Sequence, residues 1–287
     1  MIPASELIIN DDGSIFHLHI KPEQLADLVI LCGDPERVTM IAGYFDEKEC
    51  DISNREFHTI TGTYQRKRIT VVSHGIGCDN MDIVVNELDA LANIDFNTRT
   101  VCTAFRQLTM VRIGTSGGLQ PYTRTGTFVA AEKSIGFDGV VYFYNDNEQI
   151  RDKAIEDELI RQLDWNIRGI HPYVVSADAS LLERIAKDDI IRGMTIAANG
   201  FYGPQGRVLR LQLAAPDLNR RIESFQFENR KITNYEMESS ALAGLAALMG
   251  HRALTVCCII AGRVDQNICT DYKDTLPNLI EKVLDRI

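Results

Sequence analysis

Two arginines in this chain stand beside glycine-rich stretches, and that pairing is where chemistry could happen. Residues 110–121 read MVRIGTSGGLQP: a short apolar run carrying Arg112 enters Gly114-Thr115-Ser116-Gly117-Gly118, which reads as a turn of small residues. Glycines let a ligand approach the backbone closely, and the exposed N–H groups and two hydroxyls are donors. Arg112 adds the planar, permanently charged fork that matches phosphate or carboxylate oxygens. This is anion-binding chemistry, although a plain turn beside a solvated arginine has the same pattern. Gly33-Asp34-Pro35-Glu36-Arg37 repeats the pairing. There the apolar run 27–32 breaks into a helix expected over 35–44, whose preset proline and dipole would place free N–H groups near Gly33, with Arg37 one turn in. A routine strand-to-helix turn fits these residues as well.

Further candidates lie downstream. Asn234-Tyr235-Glu236-Met237-Glu238-Ser239 puts two carboxylates around one methionine, ahead of a small-residue helix expected over 241–249. Acids are favourable at a helix N-terminus, so a structural role for Glu236 and Glu238 is the default. The loop from Asn199 to Arg207, containing Phe201 and Gln205, is either a connection or a lid with aromatic and polar contacts. Gly75-Ile76-Gly77-Cys78-Asp79-Asn80 invites a dinucleotide reading, but Asn80 stands where the third glycine belongs. The seven cysteines and six histidines show no C-x-x-C pair or H-E-x-x-H spacing, so neither a disulfide framework nor a metal site is expected.

The elements that must position these residues alternate along the chain. Strands are expected over 27–32, 57–64, 68–73, 126–132, 173–176, 193–198 and 253–261, and helices over 35–44, 81–92, 180–187, 241–249 and 274–287. Alternation of this kind implies an α/β fold, with a mixed central sheet because the hairpin 57–73 adds antiparallel neighbours. With no internal repeat or linker, residues 1–287 read as a single domain. A hydrophobic content of 45% supports a large core. A net charge of −10 with no basic cluster argues against nucleic acid and anionic membranes. The N-terminus lacks the pattern of a signal peptide, and no apolar run could span a bilayer, so a soluble, cytoplasmic protein that handles small solutes is expected.

Taken together, FHL at 16–18, GDPERV at 33–38, NREF at 54–57, VRIGTSGG at 111–118, FYGPQGR at 201–207 and NYEMES at 234–239 resemble the nucleoside phosphorylase family, and within it the uridine phosphorylases. The resemblance implies a three-layer α/β/α domain with a mixed central sheet that splits a nucleoside with inorganic phosphate as co-substrate, using no organic cofactor. It implies a phosphate site from Gly33, Arg37, Arg112 and Thr115, with Arg55 reaching the phosphate of a neighbouring subunit and His17 crossing the same interface to the ribose. Met237 and Glu238 would hold the ribose and Phe201 would stack near the base. Gln205 and Arg207 would read the uracil edge, supported by Glu236. Arg112, Thr115, Arg207 and Glu238 would thus carry the catalysis, and uridine and phosphate would be the partners of a homo-oligomer with shared sites.

The chain also departs from the family pattern. Bacterial relatives can hold a monovalent cation at the interface; Glu56 and Ile76 match that site, but Asn80 replaces a serine and counts against a cation. The segment 93–109 is longer than in compact bacterial members, which leaves a dimer as the minimum and the usual hexamer open. Purine enzymes of the family, the nearest rival, place a protonating aspartate where this chain has Gly262-Arg263-Val264. A nucleosidase would lack the full set of arginines. A catalytically silent nucleoside-binding protein would have no need of both Glu238 and Arg207.

Overall fold

A computed structural model describes residues 1–262 and 274–287. The first strand, β1 (Leu28–Cys32), leads through Gly33 into α1 (Pro35–Ala42), whose N-cap Asp34 accepts from the Glu36 N–H and whose Pro35 occupies the first turn. β2 (Glu47–Asn54), β3 (Phe57–Tyr64) and β4 (Lys67–Ser73) form an antiparallel meander, followed by α2 (Cys78–Asn93). The short pair β5 (Ile94–Asp95) and β6 (Thr100–Val101) occupies part of the long segment before β7 (Thr109–Gly118). Then come β8 (Phe128–Gly136), α3 (Lys153–Gln162), β9 (Tyr173–Ser176), α4 (Ala179–Ile185) and β10 (Ile191–Ala197). The last third holds α5 (Leu218–Ser224), β11 (Gln226–Phe227), β12 (Arg230–Glu236), α6 (Ser239–Met249), β13 (Arg252–Gly262) and α7 (Leu276–Arg286).

The large sheet runs β11-β12-β10-β8-β13-β7-β1-β4-β3-β2, and an additional β12–β7 pairing closes β7, β13, β8, β10 and β12 into a ring. The sheet is mixed as expected, but the hairpin is not the only reason. β13 pairs antiparallel with β8, and β12 with β7, inside the ring itself.

Side chains alternate across β1, β4, β7 and β13 and so feed two of the cores, one on each face. Ile30, Cys32, Val71, Val111, Ile113 and Val256 pack toward α1, α4 and α7. Val29, Leu31, Val72 and Met110 pack toward α2 and α6. Helices on both faces of a mixed sheet make the three-layer α/β/α arrangement.

Two local expectations are corrected. Gly114 to Gly118 is not a turn but the second half of β7, paired with β13 from Gly114↔Cys257 to Gly118↔Gly262. Its glycines serve close approach: a Cβ on Gly118 would lie 1.9 Å from the Thr123 carbonyl oxygen. The helix expected from 241 begins two residues earlier, at Ser239, with Glu238 at its cap position, and Glu236 ends β12, a strand that was not expected.

Candidate active site

The cleft exists because β7 outlasts its neighbour. β1 pairs with β7 only as far as Leu31↔Arg112. Past that point β7 stays with β13 and crosses to β12 at Tyr235↔Gly117 and Asn234↔Gly118. The opened sheet edge leaves a cleft of about 660 Å³. Its walls bring together Gly33, Arg37, Arg112 and Thr115, the loop residues Phe201, Gln205 and Arg207, and Glu236, Met237 and Glu238. β1, β4 and β7 run parallel, so Gly33, Gly75 and the end of β7 share one edge of the sheet, the usual place for ligands in open α/β sheets.

Arg112 shares its strand face with Met110, pointing away from the core that receives Val111 and Ile113. It is only 4% exposed, and every nitrogen of its guanidinium has a partner. Nη1 lies 2.9 Å from Glu236 Oε2, and Nη2 pairs with Glu238 Oε2. Nε donates to His74 Nε2 at 3.1 Å, and Nη1 also reaches Cys257 Sγ at 3.8 Å. Burial disfavours its charge, but Glu238 and Glu236 reverse that and leave it more basic than an ordinary arginine. The fork that was expected to be open to an anion is therefore held by two carboxylates.

Each carboxylate is itself fixed. Glu236 accepts from the backbone N–H of Glu238 and Ser239, both within 3.1 Å, and from the Ser239 hydroxyl at 2.6 Å. Its carboxylate, from the strand, supplies the negative charge at the start of α6. Glu238 accepts from the Gly77 N–H at 2.7 Å, which ties β12–α6 to the loop before α2. Gly77 has φ 98°, a conformation that favours glycine. Burial raises the Glu238 carboxyl above the ordinary carboxylate range; Arg112 pulls it back and Glu236 pushes it up again.

Arg37 is buried and donates from Nη1 to the Ile113 carbonyl at 3.2 Å, while its Nε has no partner among the described residues. The Ser116 hydroxyl, also on the cleft wall, is likewise buried without one. Unpaired buried donors cost free energy, and an anion beside them would relieve it. In the loop that also lines the cleft, Arg207 Nη1 donates to the Phe201 carbonyl at 2.6 Å and to Gln205 Oε1 at 2.5 Å, and its Cζ sits 3.7 Å over the Phe201 ring. Arg207 thereby sets which way the Gln205 amide faces. Asn219 holds the same loop, donating to the Gln205 carbonyl at 3.1 Å while accepting from the Tyr235 hydroxyl at 2.9 Å.

His17 and Arg55 are together, but outside this cleft. His17 Nδ1 lies 2.6 Å from Glu87, the Asn54 amide donates to the His17 carbonyl at 2.8 Å, and Arg55 lies 5.5 Å over Phe16. Sequence reasoning did not single out His74, Cys257, Asn219 or Tyr235 as supports. Only the position of His74, directly after a buried parallel strand, could have flagged one of them. The loop Gly262-Arg263-Val264, on which the argument against a purine enzyme rests, passes at Arg263 outside the described residues.

Residues 27–285 match the model of the phosphorylase superfamily. The chain belongs to that superfamily. Among relatives in the phosphorylase superfamily, the uridine phosphorylase of Thermococcus kodakarensis is 29% identical over 264 residues, 88% of this chain and 79% of that protein. The uridine phosphorylase of Haemophilus influenzae is 29% identical over 260 residues, 89% of each. Among solved structures, a Trypanosoma brucei nucleoside phosphorylase described as showing uridine phosphorylase activity superposes with a TM-score of 0.89 at 28% identity, over 98% of this chain and 99% of that one. The phosphorylase superfamily assignment thus extends to a fold shared over nearly the full chain. No helix among the described residues is long and apolar enough to cross a membrane.

Proposed function

We propose that this protein splits uridine with inorganic phosphate, giving uracil and ribose 1-phosphate. The carrying observation is that one cleft is lined by Arg37 and Arg112, by Gln205 and Arg207, and by Met237 and Glu238 together. The names of the relatives at 29% identity support the same substrate.

The chemistry explains the spacing. Breaking the glycosidic bond leaves positive charge on the ribose and negative charge on the departing uracil. Phosphate held by the Gly33 loop, Arg37, Arg112 and Thr115 is the nucleophile and balances the first charge. Arg207 and Gln205 receive the second, and Glu238 accepts from the ribose hydroxyls beside Met237. The step needs no organic cofactor.

Charge balance in the cleft favours a shared site in a homo-oligomer. Arg112 faces two carboxylates, so at the phosphate site a dianion meets little net positive charge from this chain alone. Arg55, placed outside the cleft with His17, is suited to complete a partner's site. A reduced, cytoplasmic setting agrees with the free cysteines among the described residues.

The test is uracil release from uridine with and without phosphate, in the wild type and in Arg112→Ala. Release that requires phosphate and collapses in the variant is expected. Equal release in water alone, or phosphate kinetics unchanged in Arg112→Ala, would overturn the proposal.

A further inference from the structure

We propose that His74 is a positioning residue for Arg112, a neutral hydrogen-bond acceptor that fixes the plane of the anion-holding guanidinium. The inference rests on the phosphorolysis reading only for the identity of the anion.

His74 follows β4 directly, and its backbone N–H donates to the Cys32 carbonyl at 2.8 Å, which seats it beside the Gly33 loop. Its side chain is fully buried, and Nε2 lies 3.1 Å from Arg112 Nε. Arginine can only donate. Nε2 must therefore carry a lone pair, and the ring proton must sit on Nδ1. An imidazolium would set one N–H against another between two cations. Burial, then Arg112, then Arg37 hold the ring pKa well below its ordinary value, which agrees with this assignment.

The need for a third contact follows from geometry. Glu236 and Glu238 both come from the β12–α6 junction and grip the two outer nitrogens of Arg112. Glu238 is also the group that would turn to the ribose hydroxyls. Held by that junction alone, the guanidinium would follow Glu238 when substrate arrives. His74 grips Nε from the end of β4, an element separate from that junction, and a rigid planar group held at all three nitrogens has a defined plane. The arrangement has a cost: His74 Nδ1 makes no hydrogen bond of normal geometry among the described residues, the Gly75 backbone giving only a weak contact. A phenylalanine would fill the space without that cost, so packing alone does not account for a histidine here.

The experiment compares wild type, His74→Phe and His74→Gln in steady-state phosphorolysis, varying phosphate and uridine separately, with ¹⁵N NMR of the wild-type histidine tautomers. Loss of a hydrogen bond to a charged group predicts a phosphate KM raised about 10- to 100-fold in His74→Phe, with the uridine KM within about threefold. The glutamine, whose Oε1 can accept near the Nε2 position, should recover most of the loss. The wild-type ring should show the Nδ1–H tautomer and stay neutral from about pH 6 to 8, where an ordinary histidine titrates. A wild-type phosphate KM in His74→Phe, a glutamine variant no better than phenylalanine, or an Nε2–H or charged ring would overturn the inference. The tautomer is read in the wild type, so it decides the matter even where a variant fails to fold. It also separates this inference from the reaction, which fails instead if the wild type releases no uracil with phosphate.

Discussion

Replacing Gly114 by alanine should displace Arg112 without replacing any charged residue. Gly114 lies two residues beyond Arg112 on β7, and a Cβ there would sit 2.6 Å from Arg112 Nη1, 3.0 Å from Cζ and 3.0 Å from Cys257 Sγ. The end of an arginine side chain usually yields cheaply. This one is clamped by Glu236, Glu238 and His74, so the guanidinium can make room only by breaking their geometry. It must retreat about 0.8 Å, from 2.6 Å to the 3.4 Å at which ordinary contact begins. Overpacking of this kind costs about 1–3 kcal/mol. Misplacing a positioning group by about 1 Å can cost about 100-fold in rate. The expected result is a fall of about 100-fold in kcat/KM for phosphate, followed by uracil release, with a loss of roughly 2–4 °C in Tm per kcal/mol. Gly117→Ala is the control for folding, since among the described residues its Cβ would meet nothing nearer than the Ala261 carbonyl oxygen at 3.7 Å, and its Tm should match wild type. Wild-type phosphate kinetics in Gly114→Ala would refute the claim that the position of Arg112 matters.

Glu238 gives two pH effects of opposite sign. Its folded pKa is raised, so between the ordinary value and the folded one the folded chain keeps a proton that the unfolded chain has lost; stability falls as pH rises through that window, and Glu238→Gln should abolish this fall in melting curves. If the proposed role of the carboxylate as acceptor holds, activity should instead fall as pH drops through the same raised value, visible in kcat/KM against pH. Mixing inactive Arg55→Ala with inactive Arg112→Ala subunits should rebuild one intact site per mixed dimer; no recovered activity despite proven subunit exchange would refute sharing. Uridine should be favoured over cytidine by about four orders of magnitude in kcat/KM, because Arg207 donates to Gln205 Oε1 and prevents the amide flip that cytosine requires. Inosine turned over as well as uridine would refute the base assignment.

How much of this was legible in the sequence depended on how local each signal was. The buried strands at Leu28–Cys32 and Arg252–Gly262 announced themselves as apolar runs, and α6 ends at Gly250 in the left-handed conformation its sequence suggests. β2 (EKECDISN) was not expected, because it is a polar edge strand with little buried side chain to show a period. β12 was hidden for a different reason: its carboxylate end looks like a helix start, and only the pairing with β7 and β10 makes it a strand. The glycines of β7 read as a turn because glycine is rare in strands; here they admit Arg112 and the Thr123 backbone. Arg37 and Arg112 were marked by their glycine neighbours, whereas Phe201, Gln205, Arg207 and Glu238 were brought to one cleft only by resemblance. Cys257 left no usable pattern and His74 only its place directly after a buried strand, since what they touch is set by strand register from β4 and β13.

The pairing of Arg112 with Glu236 and Glu238 also bears on how substrate and phosphate depend on each other. Without substrate, Glu238 divides its oxygens between the Gly77 N–H and Arg112. Ribose hydroxyls that donate to Glu238 draw on the same oxygens, and so weaken its hold on Arg112 and leave that cation more available to a dianion. A dianion on Arg112 in turn leaves Glu238 less well compensated and a stronger acceptor for hydroxyls. The two ligands should therefore bind with positive coupling, and by linkage each must raise the affinity of the other by the same factor. Calorimetric titration of phosphate with and without a non-cleavable uridine analogue measures that factor, and the same analogue lacking its 2′-hydroxyl should show less of it. Equal phosphate affinity in the presence and absence of the analogue would mean that Arg112 and Glu238 act independently, despite their direct ion pair.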